Sequence, residues 1–341
     1  MIVMSLVDLT KKAYEEKRRL VAPLMGLPGV RLAGTSVKMA QQNHQIHFRV
    51  IKKLVDKFSP DMIPFLMDLS VEANALGMYT IFPVHDTATV HTEFNIEDKL
   101  HLQAISDISI SSDSRVLSYV KTMELMNAGL PDDMIKIAYV TGPYTLAALM
   151  MDAQEAAIAT LDNPVALHNL CEIATNKIQE YVRMLTTAGA NSIVILEPTA
   201  VMLGPKQFRE FSGHYVNHIV TAHKYSGVSM IYHTCGNTMN LISEMVNSGI
   251  DGISLDSEDA GVQLQLVAEI VSETVVVIGN ISPTKVLTYA QPEEVTASVN
   301  ELLDKMKPFS NFILSSGCDL PQEAPLENIA AFMNAGRNYK F

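Results

Sequence analysis

The stretch SMIYHTCGNT, residues 229–238, ends an apolar run in His233 and Cys235. On extended backbone, residues two apart point to the same side. A second apolar run ends in SSGCDLP, which carries Cys318. Imidazole nitrogen and thiolate sulfur are the donors that zinc takes in a tetrahedron, and three protein donors leave the fourth place exchangeable, the pattern of a catalytic zinc. Two thiolate ligands weaken the metal as an activator of water. They leave a bound substrate thiol, stripped of its proton, strongly nucleophilic. A His233–Cys235–Cys318 zinc therefore suits alkyl transfer to sulfur better than hydrolysis. Glu197 and Asp256 are the alternatives for the fourth place, or else they hydrogen-bond behind the ligands. The plainer alternative treats both cysteines as small buried apolar groups and His233 as a core imidazole.

For these side chains to meet, the chain must bring strand ends from distant segments to one mouth. Eight short apolar runs alternate with helical patterns: 19–30, 61–68, 135–143, 191–198, 228–236, 250–256, 273–280 and 310–321. Their near-continuous apolarity is that of parallel strands buried on both faces. Eight such units make an α/β fold, a (β/α)8 TIM barrel, whose site lies at the carboxyl ends of the strands. We expect one domain over 1–341, with an N-terminal helical segment over about 1–20. An open doubly wound sheet is less consistent, because no early strand is followed by a glycine-rich phosphate loop. Polar residues at the expected strand ends add Asp68, Tyr144 and Asn280 as substrate-binding candidates, with His85 in the loop FPVHDTATV. Cys171 lies within a helical pattern and is assigned to packing. His214 and His218, four apart, share a helix face without the glutamate of a metalloprotease helix.

Composition narrows the function classes. The chain has 341 residues, 48% hydrophobic, and a formal net charge of −12. An acidic chain without clustered Lys and Arg is not expected to bind nucleic acid. Three cysteines, an odd and low number, favour a reducing, cytoplasmic setting over a disulfide framework. The first twenty residues do not read as a signal peptide, and no apolar run is long enough to span a membrane. The 19 Met are mostly core fillers, with some available to an apolar site rim.

With these segments in view, His233-Thr234-Cys235-Gly236 and Cys318 in SSGCDLP resemble the H-x-C…C zinc motif of the methylcobamide:coenzyme M methyltransferases, a group of the uroporphyrinogen decarboxylase superfamily. MDLSVEANALG, TGPYTLA, VILEPTA, GNISP and SSGCDLPQEAPLENIAAF resemble further segments of that superfamily, over roughly residues 60–335. The resemblance implies a (β/α)8 barrel and a zinc-dependent methyltransferase. It implies a methylated corrinoid (cobamide) carried by a partner protein as donor, and a thiol such as coenzyme M as acceptor. It leaves a decarboxylase-like lyase, or a non-thiol acceptor such as tetrahydrofolate, as alternatives. The decarboxylases hold substrate carboxylates with an Arg-Gln-Ala-Gly-Arg stretch. Here the corresponding region is VRLAGTSVKMAQ, whose one arginine is Arg31, while Asp68 matches the decarboxylase aspartate in type.

Overall fold

The structure is a computed structural model that describes residues 4–91, 95, 96 and 98–341. Seven strands form one parallel sheet: β1 Met62–Pro64, β2 Ile135–Thr141, β3 Ser192–Leu196, β4 Ser229–Thr234, β5 Gly252–Leu255, β6 Val276–Ile281 and β7 Phe312–Ser316. Their order in the sheet is their order in the chain. Each crossover carries helix, as parallel neighbours require. Seven of the eight expected strands are therefore present, six within the expected runs and Val276–Ile281 one residue beyond its run. All residues of the seven are buried.

The run over 19–30 departs from expectation. It forms no strand, and only Val21 bridges in parallel fashion to Leu314. Pro23 has no N–H to give a ladder, and Pro28 opens a short helix, Pro28–Leu32. The segment still occupies a strand's place. Ala22 N–H donates to Leu314 O at 2.9 Å, and Leu314 N–H donates to Leu20 O at 3.0 Å. On its other side Asp61 N–H donates to Val21 O at 3.1 Å, next to β1. The two end strands of the sheet are thus tied through residues 20–22.

Inside the sheet, Ile137, Val194, Ile231, Ser254 and Ile278 line a small cavity with Ala22, Leu24 and Met62. Outside lie the long helices, among them His44–Phe58, Ser114–Gly129, Pro164–Thr187, Pro292–Met306 and Leu326–Asn338. The N-terminal helical segment is Leu6–Glu15, capped by the Ser5 hydroxyl, which accepts the Asp8 N–H at 3.2 Å. The connection after β1 includes a two-stranded hairpin, Thr80–Ile81 with Thr89–Val90. Among the described residues, no helix is long and apolar enough to cross a membrane.

Candidate metal centre

His233 is in β4 and Cys235 follows it by one residue. Ile231 and His233 share the inward face, so Cys235 continues toward the mouth on the same side. Gly236 then turns the chain at φ +83°, a conformation that glycine adopts without strain. Its N–H donates to Asp256 Oδ2 at 2.8 Å, and Asp256 Oδ1 accepts the Ser257 N–H at 2.6 Å. Asp256 therefore braces the cysteine-bearing turn from the end of β5.

Cys318 arrives from β7. Gly317 makes its position possible: a Cβ there would stand 2.5 Å from the Ser257 backbone nitrogen. Gly317 N–H donates to Ile281 O at 2.8 Å, which pins the turn against β6. The result is a compact donor set. Cys235 Sγ lies 3.3 Å from His233 Nε2 and 3.3 Å from Cys318 Sγ. Cys318 Sγ lies 3.8 Å from His233 Nε2. Ligands of a tetrahedral zinc with ordinary Zn–S and Zn–N bonds stand about 3.5–3.8 Å apart. The three separations lie within about 0.5 Å of that spacing, and no other such group of His, Cys, Asp or Glu occurs among the described residues.

Neighbouring groups set the electrostatics. His233 is 1% exposed, and its Nδ1 lies 3.0 Å from Ser254 Oγ, the register partner on β5. With Nδ1–H donating to that hydroxyl, the lone pair on Nε2 faces the sulfurs. The Cys318 thiol is held well above the ordinary range, first by its hydrogen bond with Cys235 and then by burial, with His233 opposing. A cation among the donors reverses that balance, so metal binding here is coupled to proton release. Asp319 accepts N–H bonds from Leu320 at 3.1 Å and Gly26 at 3.3 Å, while desolvation pushes its carboxyl up to about 7.

The other expected residues are placed differently. Glu197, fully buried, accepts N–H bonds from Tyr144 at 3.0 Å and Thr145 at 2.8 Å. It caps the amino end of helix Pro143–Met151, where helix polarity favours an acidic group. Ser212 Oγ donates to it at 3.0 Å, and burial still pushes its carboxyl up to about 7. Neither Glu197 nor Asp256 joins the three donors. Asn280 donates to Asp256 O at 2.9 Å and Val262 O at 3.1 Å, tying the β5 loop rather than facing the sulfurs. Tyr144 is buried beside Glu197 and Cys171, on the helical side. His85 is exposed on the hairpin.

Asp68 pairs with the buried Arg115 and accepts the Tyr119 hydroxyl at 2.7 Å and the Ser70 hydroxyl at 2.7 Å. Cys171 is fully buried, as its helical setting leads one to expect. The His214 and His218 rings lie 4.3 Å apart between centroids, tilted by 58° to one another. Sequence reading passed over Ser254 and Tyr139. The second is detectable in principle, since it stands two residues before the strand-end Thr141 and so shares its inward face.

The methylcobamide:CoM methyltransferases MtbA of Methanosarcina acetivorans and Methanosarcina mazei are similar to this chain, 27% and 28% identical, each over 74% of this chain and 71% of the relative. A uroporphyrinogen decarboxylase of Prochlorococcus marinus is 21% identical over 90% of this chain and 88% of its own length. Among solved structures, a methyltransferase from Methanosarcina mazei superposes with TM-score 0.84 at 18% identity, covering 98% of both chains. A B12-independent methionine synthase from Shewanella sp. W3-18-1 follows with TM-score 0.61 at 12% identity, over 94% of this chain and 96% of that one. These structural likenesses speak for a shared TIM-barrel-like fold. The sequence profile described as Uroporphyrinogen decarboxylase (URO-D) matches residues 25–339, and the chain belongs to that family.

Proposed function

We propose that this protein is a zinc-dependent methyltransferase, moving a methyl group between a methylated corrinoid carried by a partner protein and a thiol such as coenzyme M. The observation that carries the reading is the approach of His233 Nε2, Cys235 Sγ and Cys318 Sγ to within 3.3–3.8 Å of one another at the ends of β4 and β7. Similarity to the MtbA methyltransferases supports the same reaction class. We read the sheet as one (β/α)8 domain closed by residues 20–22.

Zinc bound there supplies a positive centre beside which a substrate thiol gives up its proton at neutral pH. The chain's own residues hold that arrangement. Ser254 fixes the imidazole, Asp256 fixes the Cys235 turn, and Gly317 lets Cys318 come close. Glu197 serves the frame as a helix cap, so His233, Cys235 and Cys318 are the residues that would hold the ion and leave it accessible to the acceptor thiol.

The decarboxylase reading is less well supported by two side chains. Arg31, the one arginine in its segment, donates to backbone carbonyls of Ala324 at 2.8 Å and Glu323 at 3.5 Å. Asp68 is already neutralised by Arg115. The test is methyl transfer from methylcobalamin to coenzyme M, followed by loss of the cobalt–carbon absorbance. The wild-type protein with one equivalent of zinc turns over, and Cys318→Ala loses both zinc and turnover. Turnover undiminished in Cys318→Ala contradicts the proposal, as does a wild-type protein that takes up no zinc.

A further inference from the structure

Tyr139 stands in the middle of β2, between Ile137, which lines the internal cavity, and Thr141 at the strand end. Alternation along the strand turns all three inward. Register places Thr141 opposite Leu196, and Leu196 opposite His233, so Tyr139 lies one inward position deeper than that level. Its ring packs edge-on against Phe65 at 6.1 Å, and the residue is 4% exposed. The hydroxyl is fully buried and has no hydrogen-bond partner among the described residues. The groups within its electrostatic reach are Asp319, Cys318 and Cys235.

A buried hydroxyl without a partner costs stability, about 1–3 kcal/mol in desolvation. Phenylalanine of the same shape packs in this place without that loss. The O–H is thus left free to donate to a group that arrives. The charges acting on it are those of the two thiols and a carboxylate, and it lies one inward position below the level of His233. Burial keeps the phenol protonated and hence a donor. Tyr144 and Tyr181 are two further buried phenols without a partner among the described residues, but the charges acting on them are those of Glu197 and Cys171 and of Glu72 and Asp68, not those of the two site thiols.

We propose that the Tyr139 hydroxyl donates a hydrogen bond to the sulfur of the bound thiol acceptor, making Tyr139 a substrate-contact residue in the floor of the site. The inference rests on the methyl-transfer reading and adds a specific binding contact to it. The direct experiment compares full-length wild type, Tyr139→Phe and Tyr181→Phe, using coenzyme M as the probe thiol. Zinc content, thermal midpoint without thiol, and coenzyme M affinity by calorimetry are measured on each.

A charge-assisted hydrogen bond of ordinary strength predicts an affinity loss of about tenfold or more for Tyr139→Phe. Zinc content stays at the wild-type level, and the midpoint without thiol is equal or higher. Tyr181→Phe binds coenzyme M as the wild type does. Wild-type affinity in Tyr139→Phe overturns the inference. So does a lowered midpoint or lost zinc, which marks the hydroxyl as structural. A wild-type protein that binds zinc but no thiol overturns the methyl-transfer reading first, and this contact with it.

Discussion

At the scale of single residues, the donor set is legible because its chemistry and spacing coincide. H-x-C at the end of an apolar run fixes two donors on one side by strand alternation alone. Cys318 is legible by its place at another strand end. Ser254 is not: within GISL it reads as a small core residue, and only the β4–β5 register puts it opposite His233. For Tyr144, Asn280 and His85 the sequence gives nearness to a strand end or loop but not where the side chain points: Asn280 ties the β5 loop, and His85 is exposed. Ser254 carries a prediction. Loss of such a partner behind a ligating histidine typically lowers metal affinity about 10–100-fold. Ser254→Ala should show that loss in competition against a chelator, with the fold intact by circular dichroism. Unchanged affinity would remove Ser254 from the account.

Among the elements, the seven strands are visible in the sequence as apolar runs bounded by turn residues. The first run misleads because apolarity alone does not register that Pro23 cannot donate to a ladder. Long-range fits are equally silent: a Cβ at Gly142 would meet Glu197 Cγ at 2.2 Å, so that glycine is what lets the buried cap reach its helix. The end of β2 holds a further buried acid. Thr141 N–H donates to Glu72 Oε1 at 2.8 Å, and the Thr141 hydroxyl contacts Oε2 at 2.9 Å. Burial nonetheless pushes the Glu72 carboxyl from 4.5 up to about 7. Between those values the folded protein binds the proton more tightly than the unfolded chain. Stability from this group is therefore full below about 4.5 and lost as pH rises toward about 7. Glu72→Gln removes the titration. The thermal midpoint of the variant relative to wild type should rise between pH 5 and pH 8, and a difference constant across that range would contradict the assignment.

For the whole molecule, the contribution of the TIM-barrel-like sheet is convergence. Cys235 and Cys318 are 83 residues apart in the chain and 3.3 Å apart in space, because parallel strands deliver their carboxyl ends to one mouth. The net charge of −12 offers phosphates no electrostatic attraction, and the corrinoid partner proposed above rests on similarity to methyltransferases. The measurement closest to the central claim is X-ray absorption at the zinc edge of the purified protein, before and after coenzyme M. The account predicts one zinc with two sulfur neighbours at about 2.3 Å and an imidazole nitrogen at about 2.0–2.1 Å, and a third sulfur once the thiol is added. A first shell without sulfur, or one that coenzyme M leaves unchanged, would contradict it.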